Sequence, residues 1–321
     1  MSEPATASYS AVRRSWLRDT SQVSLPVAAL LMMLAIIFWI RPSAFSYFGF
    51  TLLFKLATPL VFASLSQMLI IMLGDIDLSN GSFVGLINCV TVLYLGDWPI
   101  VAILIYLATI AVYAGFGLLI YQRQLPSIIV TLGMSFIWLG AAIILLPSPG
   151  GSAPEWLSNL MSWRSPLVPL PIWIAVLAAA AGHLVITRSS YGPVLRGAGA
   201  NPRAVERAGW SLLGIRLAVY SAAGFLAAVS GLLLTGITTS GDPNIAPAYT
   251  LLGVGAVILG GGSFKGGVVS PIGTVAGALT LSLAGSLLSF LQVPPTWQIG
   301  SQGIILFLVL AGRVLISERE S

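Results

Sequence analysis

Charge is what this sequence lacks most. Only 8% of its 321 residues are Asp, Glu, Lys or Arg, against roughly 25% in soluble domains. With 57% hydrophobic residues, its surface must be largely apolar, which lipid tolerates and water does not. Cysteine is nearly missing as well. Cys89 stands alone in an apolar run, which excludes an intrachain disulfide and a cysteine-based metal site. The single histidine, His183, also sits in an apolar run and reads as a packed or interfacial side chain. No GxxxxGK[ST] occurs. In GGGSFKGG, Gly260 to Gly267, the lysine precedes the glycine pair, so ATP phosphates are not cradled by that device. Neither Gly-rich piece follows a strand, so no dinucleotide fold is implied. No His/Asp/Ser or paired-carboxylate constellation points to catalysis. We expect no catalytic residue, no cofactor and no metal. The net charge of +5 is a topology signal rather than a nucleic-acid signal, because the basic residues flank apolar runs.

What is present is a series of ten apolar runs: Leu25–Ile40, Leu56–Leu73, Phe83–Leu95, Pro99–Tyr121, Ser127–Leu146, Leu167–Ile186, Leu217–Ile237, Tyr249–Leu259, Val268–Leu291 and Ile299–Gly312. None alternates in hydrophobicity as membrane strands do, so helices are the spanning form. The expected fold is all-α and polytopic, with about ten transmembrane helices. An N-terminal segment 1–24 precedes a transmembrane domain 25–312, and a tail 313–321 follows. RRSWLR resembles a twin-arginine signal, but no small-residue cleavage site follows Leu25–Ile40. An even number of spans puts both termini on one side. Placing them in the cytoplasm makes twelve basic residues internal: Arg13, Arg14, Arg18, Arg123, Arg188, Arg196, Arg203, Arg207, Arg216, Lys265, Arg313 and Arg319. Only Arg41 and Arg164 are then external, with Lys55 near an outer span end. That bias supports the orientation, with Pro147–Pro166 as the largest external loop.

Two runs, Phe83–Leu95 and Tyr249–Leu259, are short for a bilayer that takes about 20 helical residues. Each abuts a polar or Gly-rich piece, GDIDLSNGS from Gly74 to Ser82 and the 260–267 segment. Paired broken helices point to a transport pathway, and acids beside apolar runs are functional candidates. Asp75, Asp77, Asn80, Gly81, Gly261, Gly262 and Lys265 are therefore candidates for the pathway or its gate. The competing reading makes both pieces ordinary turns, with Asp77 capping the next helix. Asn80-Gly81-Ser82 matches a glycosylation sequon by chance on the cytoplasmic side. Gly81-xxx-Gly85 and Gly273-xxx-Gly277 permit close helix approach.

The longest interior stretch without an apolar run is TRSSYGPVLRGAGANPRAVERAGWS, Thr187 to Ser211. Asn201 suits a helix N-cap, Pro202 the first helical position and Gly209 the position past the end. Ala204, Val205 and Ala208 share one face; Arg203, Glu206 and Arg207 share the other. So short a helix is marginal alone. It is either a connector resting on the membrane surface or a helix that docks into a partner.

GDIDLSNGSFVGL resembles the GGIDLSVGS-type signature of permease subunits in the ribose, xylose and arabinose class of ABC importers. YGPVLRGAGANPRAVERAGW and VGAVILGGGSFKGGVVSPIGTVAGALTL resemble the cytoplasmic loop and late Gly-rich segment of the same family, in the same order. The resemblance implies a ten-span permease without enzyme activity, in a bacterial inner membrane, paired with a second permease copy or paralogue. It also implies a cytoplasmic ABC ATPase, a periplasmic binding protein and a small neutral solute, a sugar by default, moved by alternating access. The residues from Gly199 to Gly209 would be the ATPase-coupling segment, with Gly199, Ala200, Asn201, Pro202, Arg203, Val205, Glu206, Arg207 and Gly209 as its contacts. Three positions depart from the pattern. Asp75 replaces a glycine, Tyr249-Thr250 stands where an acid is common, and Pro193 replaces an arginine. A branched-chain amino acid permease is the rival within the superfamily. An ion-coupled secondary transporter using Asp75 and Asp77, and a structural scaffold, are the rivals outside it.

Overall fold

An apolar chain in hydrocarbon must satisfy its backbone within each segment, and this chain does so with helices. The computed structural model describes residues 5–294 and, beyond them, 297, 300, 303, 304 and 307, with side chains from residue 23 on. In chain order the helices are α1 (Ala5–Ile40), α2 (Tyr47–Met72), α3 (Asn80–Tyr94), α4 (Pro99–Arg123), α5 (Ser127–Leu145), α6 (Glu155–Ser162), α7 (Leu170–His183, carried on to Arg188 by a wider turn), α8 (Gly192–Ala200), α9 (Pro202–Arg207), α10 (Leu212–Thr238), α11 (Ala248–Leu259) and α12 (Pro271–Phe290). Among the described residues there is no strand, only an isolated bridge between Gly150 and Gly241. Among the described residues, seven helices are long and apolar enough to cross a membrane, and α3 and α11 are shorter apolar helices. The chain is an all-α, multi-pass membrane protein. The expected tenth run, Ile299–Gly312, lies outside the described residues apart from single positions, as does the 313–321 tail.

Several elements differ from the sequence expectation. Helix α1 does not begin at Leu25 but continues back through the polar N-terminal segment to Ala5. Helix α2 starts nine residues before Leu56, because Ser46 caps it by accepting from the Gly49 amide at 3.1 Å. Helix α6 lies inside what reads as the external loop. Its Leu157 and Met161 are buried on one face, a pattern too short to stand out between prolines. Helix α8 contains three glycines, which argue against a helix by propensity but allow it to lie close to its neighbours.

The core is organised around α2, which packs against α7, α10, α11 and α12. A second cluster joins α3, α4 and α5, where Phe83, Tyr113, Phe116 and Trp138 meet at ring distances of 4.8 to 6.1 Å. The small-residue pairs mark close main-chain approaches, as their spacing suggests. Gly81 and Gly85 face the carbonyls of Ala246 and Pro243, while Gly273 and Gly277 face those of Gly260 and Ala256.

Candidate translocation site and docking helix

The segment 73–79 ends α2 and turns back beside it. Asn80, the first residue of α3, donates from Nδ2 to the Ala63 carbonyl at 3.0 Å. Ala63 lies nine residues before Met72, or roughly 14 Å along a helix rising about 1.5 Å per residue. Helix α3 therefore starts about halfway through the layer. The non-helical backbone that reaches this depth is satisfied by side chains. The Ile76 amide donates to Ser127 Oγ (3.1 Å) and the Leu78 amide to Thr131 Oγ1 (3.0 Å). The Gln67 amide, turned to meet both groups, donates to the Asp77 carbonyl (3.1 Å) and accepts from the Asp77 amide (3.2 Å).

A second segment enters from the opposite face. After α10, residues 239–247 run inward beside α3, and Asn88 holds them as Gln67 holds the first segment. Asn88 donates to the Ser240 carbonyl (3.1 Å) and Thr235 Oγ1 (2.8 Å) and accepts from the Asp242 amide (2.8 Å). Helix α11 then begins beside the start of α3, where the Gly81 amide donates to Thr250 Oγ1 at 2.9 Å. Two half-helices thus meet by their N-termini at mid-depth, each reached through irregular backbone that protein groups satisfy, as membrane burial demands.

The two acids in the first segment have different partners. Asp77 is fully buried. It accepts from the Ser79 amide (2.7 Å) and hydroxyl (2.6 Å) and from the Tyr113 hydroxyl (2.8 Å). It does not occupy the cap position of α3, which is Ser79; it holds the turn before it. Asp75 pairs with Arg216 at 2.6 Å and accepts from the Tyr220 hydroxyl at 3.0 Å. This is the only ion pair among the described residues. It borders an open cavity of about 340 Å³, also lined by Tyr121, Gln124 and Ser127.

At the same face, three stretches of backbone converge. The Gly267 amide donates to the Met72 carbonyl at 2.8 Å, and Gly199 sits so close that a methyl group there would overlap the Met72 oxygen. The 260–267 segment is therefore the turn between α11 and α12. Of the residues singled out in it, Gly261 is buried with φ +100°, Gly262 is buried against Val257, and Lys265 is exposed. The break in the second half-helix pair lies instead before α11, at 239–247. DPNIAP, residues 242–247, carries the signal in its two prolines.

Helix α9 forms as its caps dictate. Asn201 Oδ1 accepts from the Ala204 amide at 3.2 Å, and Pro202 takes the first position. Gly209 has φ +86°. The Gly209 amide bonds the Glu206 carbonyl and the Trp210 amide that of Val205, a Schellman ending. Arg203, Glu206 and Arg207 are exposed as expected. The apolar face is narrower than expected, for Val205 alone is buried while Ala204 and Ala208 are exposed. Glu206 Oε1 lies 3.5 Å from the Tyr121 hydroxyl. Gly199 and Ala200 belong to the end of α8, with Gly199 committed to the Met72 contact. Sequence reasoning passed over Gln67, Asn88, Tyr113 and Tyr220; Arg216 was noticed only as a topology charge, and Thr250 only as a departure from the family pattern.

A family model described as "Branched-chain amino acid transport system / permease component" matches residues 49–310. The ribose import permease protein RbsC of Escherichia coli K12 is 27% identical over 92% of this chain and 94% of its own length. That of Haemophilus influenzae Rd is 24% identical, over 89% and 92%. The autoinducer 2 import system permease protein LsrC of Yersinia pseudotuberculosis serotype O:1b is 27% identical, over 89% and 83%. No solved structure matches the chain. The family match covers most of the sequence, including both half-helices and α9, and the chain belongs to this family of transport-system permease components.

Proposed function

We propose that the chain is the permease subunit of an ATP-driven importer that moves a small neutral solute, a sugar by preference, through a bacterial inner membrane. The observation that carries the reading is the position of α9. A capped, six-residue helix with an exposed charged face stands on the same face as the convergence of Met72, Gly199 and Gly267. That face is the cytoplasmic one, and α9 is the helix that docks into a cytoplasmic ATPase. The start of the Gly74–Ser82 segment meets the 260–267 turn there, with Gly266 against Gly74, and these two stretches form the cytoplasmic gate. A second permease copy or paralogue and a periplasmic binding protein complete the assembly. The permease works by alternating access, driven by the differential affinity of ATP for the ATPase's closed state. The subunit performs no chemistry itself.

The relatives named for ribose and autoinducer 2 import support a neutral solute over an amino acid. The site agrees. Asp75 and Arg216 neutralise each other, and Asp77 is spent on Ser79 and Tyr113. Beside the half-helix starts the remaining acid is Asp242, whose carboxylate holds the Asn244 amide at 2.8 Å. Among the described residues no opposed charge pair stands there to receive a zwitterion.

Glu206→Lys tests the docking assignment. Both residues form helices well, so the variant should insert normally. Charge reversal at an interface harms association and specificity. The expected result is joint loss of ATPase co-purification and solute uptake. A helix that merely rests on anionic lipid would gain about 1 kcal/mol from the new lysine. Wild-type uptake and co-purification would remove the docking role.

A further inference from the structure

Where α3 and α11 begin, the surface changes character. Elsewhere the spanning helices expose Leu, Ile, Val and Phe, as hydrocarbon requires. Beside the helix starts, Asn244 is exposed, and Ser82 and Thr250 are half-buried. They lie level with Gly81 and Gly85, which touch the Ala246 and Pro243 carbonyls, and so at mid-depth. An amide and two hydroxyls facing lipid would each leave hydrogen bonds unmade, at about 1–3 kcal/mol apiece. Irregular backbone at this depth is tolerated where it lines a water-filled cavity. Directly behind this face, two buried polar atoms have no partner, Ser64 Oγ and Asn80 Oδ1. Ser64 lies against Gly253, about one turn along α11 from Thr250. Buried polar atoms without partners are few in folded proteins and call for an explanation.

We propose that Ser64, Asn80, Ser82, Asn244 and Thr250 form the site that holds the transported solute halfway through the membrane, and that its ligand is a neutral polyhydroxylated molecule. The proposal rests on the importer reading above and adds the residues and the chemistry. The five side chains supply both donors and acceptors and carry no charge. A sugar offers both in return. The first-turn amides of the two helices add partial positive charge, which suits hydroxyl oxygens. An amino acid would bring two full charges to five neutral side chains. The nearby Asp242 carboxylate, already bonded by the Asn244 amide at 2.8 Å, repels rather than pairs the amino acid's own carboxylate, and desolvating each charge costs several kcal/mol. In the arrangement seen here the site is shut, because the Gly81 amide is bonded to Thr250 Oγ1. Parting α3 from α11 frees both groups for the solute.

Two measurements on the reconstituted transporter, with its ATPase and binding protein, test this. First, with Cys89 replaced, Thr250→Cys and Asn244→Cys are exposed to a small water-soluble thiol reagent in the nucleotide-free and ATP-trapped states. Both cysteines should react in at least one state, and D-ribose, D-xylose or L-arabinose should slow the reaction. Silence in every state, or reaction that no solute slows, overturns the site. Protection by leucine and not by any sugar overturns the sugar reading and the neutral-ligand chemistry while leaving the location standing. Second, Thr250→Val is compared with wild type on the transported pentose and its monodeoxy forms. Uptake of the parent sugar should fall about three- to tenfold. One deoxy form should lose nothing further in the variant, since the same hydrogen bond is already gone. Strictly additive losses for every deoxy form overturn the contact.

Discussion

Asp75 and Asp77 lie two residues apart and bind opposite things. Asp77 takes three bonds from neutral groups inside the protein, while Asp75 takes a guanidinium from α10. From sequence both were simply acids beside an apolar run, because their partners lie 36 and 141 positions away. The difference can be measured. Tyr113→Phe leaves the buried Asp77 Oδ2 short of one donor, and a buried acceptor left without its partner costs about 1–3 kcal/mol. The variant should unfold at lower temperature in detergent while its ATPase association is retained. Arg216 sits on α10 just past α9, so its bond to Asp75 ties the neighbour of α9 to the 73–79 segment. Arg216→Glu should lower solute moved per ATP hydrolysed, and Asp75→Arg with Arg216→Asp should restore part of it. Loss of the same size in the swapped pair would show that the charges act separately.

Among the elements, α9 was legible to the residue because caps are local. Asn201, Pro202 and Gly209 each act within one turn, and each occupies the place its chemistry prefers. The apolar side was not fully legible. Whether Ala204 and Ala208 are covered depends on what lies beneath them, and only Val205 finds a cover, against Gly197. Helix α8 was missed because its glycines serve close packing, which no local rule detects. Gly199→Ala should therefore cost more than a surface substitution. The added methyl meets main chain, which cannot rotate away, and overpacking typically costs about 1–3 kcal/mol. A drop in unfolding temperature with normal membrane insertion is the expected result. Val205→Pro breaks α9 at about 3 kcal/mol or more, and should abolish ATPase binding without loss of insertion.

For the whole molecule, hydropathy gave the order of the spans, and basic residues gave a direction for them. Cysteine scanning with an impermeant reagent checks that direction: positions near Ala200 should be silent from outside intact cells, and positions near Ser152 should label. What hydropathy could not give was the depth of the breaks. The 239–247 segment is neither long nor strongly polar, and its inward course is set by Asn88 on another helix. Its outer end is fixed by something else again. Gly241 exchanges two main-chain bonds with Gly150, at 2.8 and 2.9 Å, and Ala153 adds a third to Thr239. The outer loop and the start of α11 are thus joined by one short, taut length of chain. On the proposed orientation, a binding protein settling on that loop would pull on the middle of the membrane as a hand on a cord moves the latch at its far end, and the signal of its arrival would have almost no distance to travel.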